Sequence, residues 1–116
     1  MMSYRTVIAW EKGMNLVVEI YKLTEILPTA EKYGLVTQMQ RAATSIPSNI
    51  AEGYGRGSKL DYARFTDIAL GSVRELQTQL EICQRLGFAE TMKQITQADE
   101  VARIIYGLGR SLRANK

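Results

Sequence analysis

Apolar residues recur along most of this chain at intervals of three and four, the period of one helix face and not the alternation of a strand. Trp10, Met14, Val17, Tyr21 and Thr24 follow spacings of 4, 3, 4 and 3, with Leu16, Ile20, Leu23 and Leu27 flanking them. This predicts a first helix from about Val7 to Leu27, with Glu11, Lys12, Glu19, Lys22 and Glu25 on its outer face. Pro28 ends it, because a proline disfavours helical geometry in the residue before it. The stretch from Pro28 to Gly34 is a connector, expected to hold a single turn.

A second helix is predicted from about Leu35 to Gly53, with Met39, Ala43, Ile46 and Ile50 as its apolar stripe. Pro47 falls inside it. Proline lacks an N–H and its ring crowds the carbonyl of Ala43, so the expectation is a kink. The alternative is two short helices, the second capped by Ser45. Gly53, Gly55 and Gly57 then offer a stop, since glycine accepts the left-handed geometry of a helix C-cap. The third helix starts after Ser58, where Ser58 and Asp61 resemble a capping box with Asp in place of Glu. Phe65, Ala69, Ser72, Leu76 and Cys83 share one face, widened by Ile68, Val73, Leu80 and Leu86, and Gly87 stops it. The fourth helix runs from about Glu90 to Leu112. Ile95, Ala98, Ala102, Ile105 and Leu112 line it, beside Val101, Ile104 and Leu108.

Four amphipathic helices with short connections predict an all-α fold, an antiparallel up-down-up-down four-helix bundle. A length of 116 residues, 46% hydrophobic and 23% charged, suits one domain over 1–116. The apolar faces of the first and fourth helices are wider than the usual stripe. Either they fill the core generously, or they carry a second buried face for self-association.

Composition narrows the chemistry. There is no histidine, which removes Ser-His-Asp triads, Cys-His pairs and His-ligated metals. One cysteine, Cys83, cannot form an internal disulfide and suits a reducing cytoplasm. Its place on an apolar helix face reads as a small core hydrophobe. No uncharged run reaches the ~20 residues of a membrane span, and the charged first 25 residues do not read as a signal peptide. Catalysis would rest on Glu, Asp, Lys, Tyr or the single Cys, and none of these clusters at a mechanistic spacing. The chain is therefore expected to be non-enzymatic, without cofactor or metal, and cytoplasmic.

The segment Gly53-Tyr54-Gly55-Arg56-Gly57-Ser58-Lys59 looks briefly like a phosphate loop. It lacks the Gly-Lys-Ser/Thr order and follows a helix, so it reads as a cap and turn. Two polar rows are more informative. Gln38, Arg41, Ser45, Asn49 and Glu52 recur along the second helix, and Ser72, Glu75 and Gln79 along the third. An antiparallel pairing would bring the rows together. Small residues between them (Ala42, Ser45, Gly71, Ser72) favour a close, hydrogen-bonded helix–helix or subunit seam over a solvated face. Arg41 could then pair with Glu75 or Glu52. Glu52 and Glu75 as a metal-binding carboxylate pair is the weaker reading, since di-metal bundles use Glu-x-x-His.

The net charge is +3, from 15 basic and 12 acidic residues. Arg56, Lys59 and Arg64, with Arg110 and Arg113, are the candidate phosphate contacts, and Tyr54 and Tyr62 the candidate stacking groups. Lys116 extends the basic tail. Ordinary surface charge is the alternative for a monomer. A ring of copies would multiply and focus the charge.

One block is more specific than any helix rule: Gln38, then Arg41-Ala42-Ala43, then Ser45-Ile46-Pro47-Ser48-Asn49-Ile50-Ala51-Glu52-Gly53-Tyr54-Gly55-Arg56. Ile68-Ala69-Leu70-Gly71-Ser72, Glu75-Leu76, Thr78-Gln79-Leu80 and Leu86-Gly87-Phe88 follow it. These residues resemble the four-helix-bundle proteins encoded in the intervening sequences of bacterial 23S ribosomal RNA genes. Gly107 to Leu112 follows that family only loosely. The resemblance implies an antiparallel four-helix bundle, a homopentameric ring and a poorly defined role. It also implies similarity to the accessory variability proteins of diversity-generating retroelements, basic pentamers that bind nucleic acid and a reverse transcriptase. The family motif falls on Arg41, Ser45, Asn49, Glu52, Ser72, Glu75 and Gln79. The resulting expectation is an oligomeric bundle that binds RNA, DNA or a nucleoprotein partner through basic patches. The alternative is a structural or protein-interaction module with no nucleic-acid role.

Overall fold

The computed structural model describes residues 3–114. Among them are four α-helices and no strand: α1 (Ile8–Thr24), α2 (Leu35–Tyr54), α3 (Lys59–Arg85) and α4 (Met92–Ala114). Short 3-10 turns at Tyr4–Thr6 and Thr29–Glu31 precede α1 and bridge α1 to α2, the second being the turn expected in the Pro28–Gly34 connector. Lys116 lies outside the described residues.

Cross-helix contacts fix the topology. From Gly13 beside Pro47 to Thr24 bonded to Gln40, the number rises on α1 as it falls on α2. Gly53 beside Phe65 and Met39 beside Cys83 give the same inverse order for α2 and α3. Asp67 with Arg113 and Gln77 with Asp99 repeat it for α3 and α4. Lys12 with Glu100 and Glu19 with Lys93 close the circuit between α1 and α4. Every adjacent pair is antiparallel, as an up-down-up-down bundle requires. The molecule measures 46 × 22 × 19 Å. Leu16, Ile20, Ile46, Ile50, Leu76, Leu80 and Ile105 are fully buried at its centre, each stabilising the fold by roughly 1.5–3 kcal/mol.

Two local expectations change. On α1 the buried face is Ala9, Gly13, Leu16, Ile20, Leu23 and Leu27, which also obeys the three–four spacing. The predicted stripe lies at the edge of that face: Thr24 is buried and Trp10 and Val17 pack part-buried against the core, whereas Met14 is 38% and Tyr21 43% exposed. Small residues decide this. A Cβ on Gly13 would stand 3.3 Å from the Ile46 side chain and 3.6 Å from the Pro47 ring, so glycine lets α1 close on α2. That packing buries Pro47, and α2 runs through it as a single helix, as the first of the two readings expected, and not as two short helices. On α3, Ile68 and Leu86 are exposed and do not widen the core face, whereas Thr66 and Gln79 are buried. On α4 the wide apolar face is absorbed, with Ile95, Ile104 and Leu108 half-buried against the core.

The caps follow the sequence in part. Ser58 Oγ accepts the Asp61 N–H at 3.0 Å, but the Asp61 carboxylate turns to Arg64 and Arg56 instead of closing the box. Gly55 caps α2 with an ordinary negative φ of −80°, not the left-handed geometry expected there. Gly87 does use it, at φ 74°. The Gly87 N–H reaches the Gln84 carbonyl and the Phe88 N–H the Cys83 carbonyl, a Schellman stop for α3.

Candidate functional site

The two polar rows meet. Antiparallel α2 and α3 place Gln38, Arg41, Ala42 and Ser45 opposite Ser72 and Glu75, around a groove of about 410 Å³. Its floor is a hydrogen-bonded relay. Asn49 Nδ2 lies 2.9 Å from Ser45 Oγ and 2.8 Å from the Ser45 carbonyl. The Ser45 and Ser72 hydroxyls are 2.8 Å apart, and Ser72 Oγ is 3.3 Å from the Ile68 carbonyl. One direction satisfies every member: Asn49 donates to Ser45, Ser45 to Ser72, and Ser72 to Ile68. At one end of the groove Gln79 Nε2 donates to Glu75 Oε2 at 3.3 Å. Gln79 is buried and its Oε1 has no protein partner.

The charged members behave differently from expectation. Arg41 forms no ion pair with Glu75 or Glu52 among the described residues, although it shares the groove with Glu75. Glu52 instead pairs with Arg56 one turn on, at 3.5 Å. The two glutamates do not form a carboxylate pair, and no cluster among the described residues could hold a metal ion.

The basic candidates share one end of the bundle. Antiparallel packing brings the start of α3, with Lys59 and Arg64, beside the end of α4, with Arg110 and Arg113; Arg56 sits at the turn between α2 and α3. Much of this charge is already engaged. Arg56 and Arg64 both approach Asp61, at 3.8 and 3.0 Å, and their guanidinium groups lie 4.6 and 4.8 Å from the centre of the Phe65 ring. Arg113 pairs with Asp67 across to α3. Arg110 is exposed and makes no ion pair among the described residues. At the α3 N-terminus one N–H, that of Asp61, is taken by the Ser58 hydroxyl. Tyr54 and Tyr62 pack edge-on, ring centres 6.1 Å apart, and burial and Tyr54 push the Tyr62 hydroxyl above its usual range.

Cys83 is buried with its thiol 3.6 Å from the Met39 sulfur. Burial, and secondarily Glu31, raises its pKa, as suits a core hydrophobe. The excess apolar width that the sequence shows on α1 lies on its outer face. Val17, Val18, Tyr21, Lys22, Glu25 and Thr44 surround an open apolar hollow there. Which α1 stripe faces inward follows from Ala9 and Gly13, both buried.

These features define the class: an antiparallel four-helix bundle with a polar α2–α3 groove and a basic end. The chain belongs to the 23S rRNA-intervening sequence protein family, whose profile matches residues 5–107. The match ends where the loosely similar Gly107–Leu112 segment begins, so Arg110 and Arg113 lie beyond it. A crystal structure of a protein of unknown function from the S23 ribosomal protein family of Bacteroides thetaiotaomicron VPI-5482 has the same fold. It superposes with a TM-score of 0.80 at 22% identity, covering 89% of this chain and 96% of that one. No curated protein matches the chain. No helix among the described residues is long and apolar enough to cross a membrane.

Proposed function

We propose that this protein is a non-enzymatic cytoplasmic bundle that assembles into a homo-oligomeric ring, a pentamer by family resemblance, and binds RNA or DNA, free or within a nucleoprotein partner. The observation that carries the reading is the gathering of Arg56, Lys59, Arg64, Arg110 and Arg113 at one end of the bundle. A ring whose axis parallels the helices would present all these ends on one annular face and sum their fields. Phosphate binding of this kind weakens steeply with salt. The test is fluorescence anisotropy with labelled single- and double-stranded RNA and DNA at rising salt, for wild type and Arg110→Glu. Arg110 is chosen because its reversal breaks no internal ion pair. Expected are salt-sensitive binding and a weaker variant. Absence of binding at low salt, or binding indifferent to salt, overturns the reading.

A second reading has its own support. Arg56, Arg64 and Arg113 are neutralised by Asp61, Glu52 and Asp67, and four of the residues on which the family resemblance falls, Arg41, Ser45, Ser72 and Glu75, line the α2–α3 groove. Under it the protein is a structural or interaction module, and Arg110→Glu changes only solubility.

A further inference from the structure

We infer that the α2–α3 groove is half of a subunit interface, completed by the outer face of α1 from a second copy of this chain, with Glu25 of one protomer paired to Arg41 of the next. The inference rests on the ring reading above and names the surfaces that would build it. Three observations lead to it. First, each surface is incomplete alone. The α1 face exposes Val18 (51%) and Tyr21 (43%), while the groove floor offers only small side chains, Ala42, Ser45 and Ser72, with room for larger ones.

Second, the charges are complementary. The α1 hollow carries Lys22 and Glu25, and the groove carries Glu75 and Arg41, with Arg41 lacking an acid among the described residues. Third, the two surfaces stand at one level. Thr24 bonds Gln40 at 3.1 Å, which sets the adjacent Glu25 and Arg41 at the same height along the bundle. Thr44 borders the α1 hollow, and its neighbour Ser45 is in the groove. Rotation about an axis parallel to the helices preserves height, so it carries one surface onto the other in register. Consecutive residues on α2 point roughly 100° apart, and faces set at that angle close a ring after about four or five copies.

The experiment is the solution mass by light scattering for wild type, Arg41→Glu, Glu25→Arg and the double charge swap. Circular dichroism checks helicity, since both side chains are exposed. The expected result is a multiple of 13.1 kDa for wild type, a fall toward 13.1 kDa for each single variant, and the wild-type mass again for the swap. A wild type of 13.1 kDa at every concentration overturns the ring and this interface together. An oligomeric wild type with unchanged single variants leaves the ring and overturns this interface. Loss in both singles without recovery in the swap overturns the Glu25–Arg41 pairing.

Discussion

Replacing Gly53 with alanine tests how closely α2 and α3 approach. Gly53 lies in the last turn of α2 and is buried. A Cβ there would stand 2.8 Å from the Phe65 Cβ, 2.8 Å from the Tyr62 Cδ1 and 3.2 Å from the Tyr62 carbonyl. None of these is the free end of a flexible chain, so the helices must part. Overpacking of this kind costs about 1–3 kcal/mol. Alanine returns up to ~1 kcal/mol of helix propensity, less near a helix end. The net is a loss of about 1–2 kcal/mol, or a fall in Tm of about 4–8 °C by thermal circular dichroism. The control is Gly107→Ala on α4, where nothing lies within 4 Å of the new Cβ. There only the propensity acts, and Tm should rise by about 2–4 °C. A Gly53→Ala protein melting at or above wild type refutes the close-approach reasoning. The same chemical change with opposite signs at two sites separates packing from propensity.

Further outcomes are expected. Thr91→Val removes the buried hydroxyl that reaches the Leu80 carbonyl at 2.8 Å and Gln84 Oε1 at 3.0 Å, and should cost about 1–2 kcal/mol by urea unfolding. A Ser45→Ala, Ser72→Ala double-mutant cycle should show a coupling of about 0.5–1.5 kcal/mol; strictly additive losses would mean the hydroxyls do not interact. Cys83 should react with a thiol reagent only as fast as the fold opens. Because its pKa is raised in the folded state, its stabilising share is present below the ordinary thiol range, ~8.5, and is lost as pH rises above it. Flat stability from pH 7 to 10 in wild type, matched by Cys83→Ala, contradicts that coupling.

The helices were legible because each carries a full three–four period over many turns, and the polar rows of α2 and α3 were legible for the same reason. Gln38, Arg41, Ser45, Ser72 and Glu75 line one groove because periodicity places them on facing stripes. What sequence did not reveal depends on partners. Two stripes of α1 satisfy the same period, and only the fit of Gly13 against Pro47 selects the inner one. Arg41 had two candidate acids in sequence. One of them, Glu52, is captured by Arg56 one turn away, a local contact that competes with any cross-helix pair. Arg56 and Arg64 looked like free cations until α3 carried Asp61 between them.

The order of the helices around the bundle has a kinetic consequence. α2 and α3 are joined by the short run Gly55 to Ser58 and meet at Gly53, so their docking closes a small loop at little entropic cost. The seam between α1 and α4 joins residues as distant as Lys12 and Glu100 and is bridged by exposed ion pairs at 3.6 and 3.8 Å. Folding should therefore begin with the α2–α3 hairpin and end with that seam. Destabilising substitutions at the α2–α3 crossing should slow folding, whereas those along the α1–α4 seam should chiefly speed unfolding.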